Sequence, residues 1–236
     1  MTNTSRRTRL TSGGMKQRLV VGLATLFVAC CLLASPAGAG GGHNDAVAPA
    51  LPDNAQPQNA VAGPDVEIRI DGVKVVVPDL VLRDQEGRRV RFYSDLIKDK
   101  VVVLSFFYTS CEFVCTMQGA AFSKLQTLLS ERLGKSVHLI SVTTDPKTDT
   151  PQQLKAWGTR YHAKPGWTLV TGEVAEMNKL LKQFTGNPTG KGMHAPVTFI
   201  GNDRRGVWIG AGGVSAPEQL LDLVVAIAQE GDDTAK

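Results

Sequence analysis

Apolar positions along the chain change period from block to block, and the changes divide it into strands and helices. Val66 to Val77 alternates β-branched and polar residues around Asp71-Gly72, the pattern of a tight hairpin. Asp79 to Val90 predicts a strand, a turn and a second strand. Lys100 to Phe107 is apolar at nearly every position, as in a central parallel strand covered on both faces. Cys115 to Leu133 switches to helical spacing through Ala121, Phe122, Leu125, Leu128 and Leu129, and Gly134 is placed to end it. Val137 to Val142 predicts the next strand. Thr150-Pro151 opens a helix carrying Leu154, Trp157 and Tyr161, with proline at its first position. Trp167 to Val170 is a short strand, and Glu173 to Phe184 a helix turning Val174, Met177, Leu180 and Leu181 inward. A Gly/Pro-rich loop spans Gly186 to Met193. Val197 to Ile200 and Val207 to Ile209 form a hairpin about the turn Asn202 to Gly206, and Ala216 to Gln229 closes as a helix. This alternation implies an α/β domain: a mixed sheet with helices on both faces and an N-terminal β-hairpin extension.

The first 64 residues follow a different pattern. Arg6, Arg7, Arg9, Lys16 and Arg18 precede an apolar run from Leu19 to Ala34, and small residues follow through Ala39. Basic, apolar and small segments in that order are those of an export signal over residues 1–39, cut after Ala39 or kept as an anchor. Cys30 offers a lipid-attachment alternative. The apolar run is shorter than the ~20 residues of a comfortable membrane span. Residues 40–64 hold almost no large apolar side chains, so they have little to bury and are expected to form a flexible linker. His43 is expected to be a solvated linker histidine. One domain, residues 65–236, remains.

Charge narrows the choice of partners. The formal net charge is +4, but five of the 26 basic residues lie before residue 40, whereas all 22 acidic ones lie after it. An exported chain would carry 21 basic residues against 22 acidic ones, and it shows no basic cluster. Nothing electrostatic favours nucleic acid.

Two of the four cysteines, Cys30 and Cys31, belong to the leader, which leaves Cys111 and Cys115. The apolar strand Val101 to Phe107 delivers this pair to the start of a helix, where free backbone N–H groups and the positive end of the helix dipole favour thiolate. On a regular helix, residues four apart have Cβ atoms ~5–6 Å apart, beyond the ~3.5–4.5 Å of a disulfide. With Cys111 just ahead of the first turn the sulfurs come closer, so the spacing permits both a disulfide and chelation of a soft metal. An oxidising compartment would join two such thiols unless a reductant or a metal intervened.

Phe107-Tyr108-Thr109-Ser110-Cys111-x-x-x-Cys115 is similar to the cysteine motif of the Sco/SenC family of copper-handling proteins. Ser141-Val142-Thr143-Thr144-Asp145-Pro146, followed by Asp149-Thr150-Pro151, resembles a second segment of that family. Val77-Pro78-Asp79-Leu80 with Asp84-Gln85-Glu86-Gly87 looks like the opening of exported thioredoxin-like domains. The resemblance covers about residues 75 to 230. It implies a thioredoxin-like fold and assigns His194, five residues before Phe199, the place of the family's metal-binding histidine. Three departures stand out: Met193 precedes the histidine where the family usually has aspartate, Thr116 replaces a proline, and Pro196 sits where thioredoxin-like reductases carry their cis-proline.

On this resemblance Cys111, Cys115 and His194 would bind copper. Thiolate selects Cu(I), and imidazole lets the same set take Cu(II); oxidation of the pair would switch binding off. The implied function is a periplasmic or membrane-tethered chaperone that assists assembly of the copper centre of a haem-copper (cytochrome c) oxidase. Its partners would be the copper-acceptor subunit, or another copper chaperone, and a thioredoxin-like reductant. The alternative is an enzyme, a thiol–disulfide oxidoreductase with Cys111 as nucleophile and Cys115 as resolving thiol, reducing a copper acceptor or another exported protein. A peroxidase of related fold is disfavoured, because Thr109 stands two residues before Cys111 rather than three. His138 is expected to be a strand residue and His162 a surface one. Asp145 is expected to cap its Asp-Pro turn.

Overall fold

The computed structural model describes residues 60–187, 189–190 and 196–229. The segment expected to be an export signal, most of the expected linker, His43, Met193 and His194 lie outside the described residues. No helix of the described residues is long and apolar enough to cross a membrane.

Nine strands form one mixed sheet: β1 Val66–Ile70, β2 Val73–Val77, β3 Val81–Asp84, β4 Arg89–Arg91, β5 Val101–Phe107, β6 Val137–Thr143, β7 Trp167–Thr171, β8 Val197–Asn202 and β9 Val207–Gly212. Their order across the sheet is β2-β1-β9-β8-β5-β6-β7-β3-β4, with β5 in the middle. β5 runs parallel to β6, as its continuous apolar pattern predicts, but antiparallel to β8 on its other side. Burial on both faces therefore reflects its central place more than the direction of its neighbours. β1 and β2 form the N-terminal hairpin, with Asp71 and Gly72 both at positive φ in its turn. Residues ahead of it also attach to the domain: Ala60 is buried and accepts a hydrogen bond from Arg89 at 3.0 Å, and the Gly63 N–H donates to Asp79 O at 3.0 Å.

The helices are α1 Val114–Leu129, α2 Pro151–Arg160, α3 Val174–Thr185 and α4 Pro217–Gln229. Alternate residues of the central strands feed two separate cores, as the two-residue period of a strand requires. Val102, Leu104 and Phe106 of β5 join Ile140 and Val142 of β6 against α3 and the segment containing Phe92 and Ile97. Val103 and Phe107 point the other way and meet Phe122 and Leu125 of α1, Trp157 of α2 and Val224 of α4. One face thus carries a single helix and the other carries three.

Two local features refine the reading of the pattern. The helix expected to run to Leu133 stops at Leu129, where Ser130 takes φ 49°, and Ser130–Arg132 continues as a 3-10 turn. Val174, expected inward, is half-buried, while Phe184 joins Met177, Leu180 and Leu181 in the core. The start of α2 is firmly specified: Pro151 occupies its first turn, and Thr150 and Gln153 each bond the other's backbone N–H.

Candidate functional site

β5 ends at Phe107 in the middle of the sheet, so whatever follows it emerges at the carboxyl edge of the parallel strands. The chain crosses from there to α1 through Tyr108–Phe113, and Cys111 lies in this connection, ahead of the helix. α1 has no acidic residue in its first turn and no side-chain oxygen capping it. The Cys115 N–H, one of the donors a helix start leaves without an intrahelical partner, instead donates to Cys111 Sγ at 3.3 Å. The sulfur thus takes the part usually played by a Ser or Asp oxygen. A turn closed by the Cys111 N–H on Tyr108 O at 3.2 Å sets up this placement.

The two thiols are free and unequal. Cys111 is partly exposed, whereas Cys115 is 5% exposed in the core beside Phe107 and Trp157. Burial opposes ionisation of Cys111, but hydrogen bonds from the Cys115 thiol and N–H, the Phe113 N–H and the Tyr108 hydroxyl outweigh it and hold its pKa below that of a free cysteine. Burial, reinforced by the neighbouring Cys111 sulfur, pushes the Cys115 thiol up to about 12. A proton shared by the pair therefore resides on Cys115 and leaves Cys111 the nucleophile or first ligand.

Both sulfurs open onto a recess of about 260 Å³ lined also by Phe106, Tyr108, Thr144 and Pro196. Its rim is apolar. Phe113 is 78% exposed and Met117 60%, with Val114 beside them, and the other exposed large hydrophobic residues among those described are Val61 and Val73. Such a concentration of apolar surface marks a place where something else binds. Among the described residues no group of three or more His, Cys, Asp or Glu side chains is arranged to hold a metal. The described donors are the two sulfurs, a soft pair suited to Cu(I) or Zn(II).

The SCO1/SenC family model matches residues 71–192, just over half of the 236. The chain belongs to the SCO1/SenC family. A SCO1 protein homolog of Bacillus subtilis is 29% identical over 127 residues, covering 51% of this chain and 64% of the relative. The chain thus spans less than two thirds of that relative's length. Among solved structures it resembles BsSco, described as a Sco-family cytochrome c oxidase assembly protein with a disulfide switch: TM-score 0.54, 22% identity, covering 71% of this chain and 98% of that one. It also resembles Arabidopsis thaliana ScoI with copper bound: TM-score 0.53, 18% identity, covering 64% and 96%. At these identities the structures establish the thioredoxin-like fold expected from the sequence.

Of the residues expected at a Sco site, the structure brings Cys111 and Cys115 together at the recess; His194 lies outside the described residues. His138 occupies β6, and His162 is exposed just beyond α2 at φ 54°, both as expected. Asp145 is buried at its turn, where its carbonyl accepts from the Thr148 and Asp149 N–H groups. Asp149, known from the sequence only as part of the Asp149-Thr150-Pro151 segment and with no role expected of it, has its carboxylate fully buried and bonded to Thr109. An aspartate inside a capped turn carries no periodic signal of burial. The hints were its membership of that segment and its place three residues beyond an Asp-Pro that directly follows a buried strand.

Proposed function

We propose that this chain is an exported, membrane-tethered or periplasmic copper-binding protein that takes part in haem-copper oxidase assembly, with Cys111, Cys115 and His194 as the copper ligands. The observation that carries this reading is the pair of free thiols at one recess, with Cys111 presented at the surface and Cys115 inside. Family membership supports it, as does the copper bound to the Arabidopsis thaliana relative. The flanks of His194 support its inclusion: the Gly190 N–H donates at 2.7 Å to the carbonyl of Thr144, and Pro196 lines the recess. Copper here is cargo. Two thiolates and one imidazole hold Cu(I) in a three-donor set from which an incoming sulfur or nitrogen ligand can draw it by exchange. Residues 1–39 would direct export, and an oxidase subunit awaiting copper would be the acceptor. The apolar rim around Cys111 would meet that partner.

The inequality of the thiols also suits a thiol–disulfide oxidoreductase. Cys111 would attack a partner disulfide, and Cys115, freed of its proton, would resolve the mixed disulfide, taking two electrons from the pair. His194 separates the readings, since copper needs the imidazole and exchange does not. Anaerobic Cu(I) titration of the chain carrying Cys30→Ser and Cys31→Ser, against a competing chelator, is expected to give one tight equivalent. That binding should be lost in Cys111→Ser and Cys115→Ser, and weakened at least about tenfold in His194→Ala. Weak binding indifferent to His194 would leave the exchange reading in its place.

A further inference from the structure

Asp149 is fully buried, yet none of its hydrogen-bond partners is a cation. Its Oδ2 accepts the backbone N–H of Thr109 at 3.1 Å and the hydroxyl of Thr143, and its Oδ1 accepts the hydroxyl of Thr109. Its own N–H donates to Asp145 O at 2.9 Å. Burying a carboxylate is costly, and three neutral donors offset only part of that cost. An apolar residue would escape the cost of a buried charge but leave those donors unpaired. What the carboxylate adds is geometric. It grips Thr109 twice, by main chain and side chain, two residues ahead of Cys111. It grips Thr143 at the end of β6, and through Thr150 and Pro151 it continues directly into α2. The connection that carries Cys111 is thereby fixed to the strand and helix beside it, and that placement lets Cys111 Sγ reach the Cys115 N–H.

We propose that Asp149 is a positioning residue for the cysteine pair, holding the Tyr108–Cys111 connection so that Cys111 Sγ stays over the first turn of α1 and within reach of Cys115. The proposal deepens the reading of this pair as the functional site. Its test uses thiol chemistry without copper, so the copper assignment can fail while this one stands.

In the full chain carrying Cys30→Ser and Cys31→Ser, the pair is equilibrated with mixtures of glutathione and glutathione disulfide. Cys111 and Cys115 give up two electrons and two protons as their S–S bond forms, and glutathione disulfide takes these up as two thiols. Alkylation of each cysteine is followed in parallel by peptide mass spectrometry. Because displacement of a reacting group by about an ångström is felt strongly, Asp149→Ala is expected to shift the equilibrium at least about tenfold and to erode the preference for alkylation at Cys111. Asp149→Asn retains an acceptor for the Thr109 N–H and a donor for the threonine hydroxyls, so it should restore most of both. Leu220→Ala, a core truncation on α4, reports what destabilisation alone does and should leave both readouts where they were. Thr109→Val, which removes one of the two grips, should shift them less and in the same direction; it carries the test should Asp149→Ala fail to fold. Wild-type equilibrium and selectivity in folded Asp149→Ala, or in Thr109→Val where the alanine variant does not fold, would overturn the proposal.

Discussion

At the scale of single residues, the site depends on how the environment divides two chemically identical thiols. Cys111 caps the start of α1 with its sulfur and has solvent beside it, while Cys115 has the core. Iodoacetamide should therefore label Cys111 in the folded protein from a lower pH than it labels free cysteine, and leave Cys115 unmodified until the chain unfolds, as peptide mapping would read. Gln126 is a second residue whose surroundings decide its role. It is 2% exposed on the inner face of α1, where its side-chain N–H₂ donates to the carbonyls of Tyr161 and His162 and its oxygen accepts the Lys164 N–H at 3.1 Å. Gln126→Ala would strand these groups, and denaturant melts should show a loss of about 1–3 kcal/mol for the unpaired set.

At the scale of elements, α1 lies close against the aromatic side chains of α2 and its C-terminal cap because Gly119 has no side chain. A Cβ there would stand 2.7 Å from the Tyr161 ring and 2.9 Å from that of Trp157. Gly119→Ala would improve helix propensity and still destabilise, by about 1–3 kcal/mol, because the gain of under ~1 kcal/mol is outweighed by overpacking; a lowered chemical denaturation midpoint would show it. Alternation and helical period made nearly every element legible, since a sheet with two covered faces imposes those periods on its strands. The place of Cys111 ahead of α1 was legible as a condition and is met. Three things were not. Gln126 and Asp149 are polar residues in buried positions, and their partners come from elements far along the chain or from turns. The end of α1 is set at Ser130, whose φ of 49° no local composition announces. Gly134, where the pattern predicted the stop, lies beyond the 3-10 continuation, which ends at Arg132 with Leu133 extended after it, and takes φ 75°.

At the scale of the whole molecule, one titration bears on stability. His138 on β6 is half-buried; burial lowers its pKa, Lys100 nearby lowers it further, and a hydrogen bond with the Lys135 backbone opposes them more weakly. The unfolded chain therefore binds this proton more readily than the folded one. The contribution is fully present above the unfolded pKa of about 6.5 and is lost as pH falls through the lower folded value. His138→Gln should flatten the fall in melting temperature on acidification below about pH 6.5, and an unchanged slope would assign that fall to other groups. The three helices on one face of the sheet have a further consequence. Trp157 lies between Phe107 and Tyr161, each with its ring centroid 4.4 Å away, under the same face of α1 that carries Cys115 one turn before Gly119. An indole in the same core cluster as the buried sulfur is a built-in optical gauge. Its emission should change whenever that sulfur is oxidised or takes a metal, and Trp157→Phe, which also alters the edge-on neighbour of Trp167 at 6.0 Å, would remove that response.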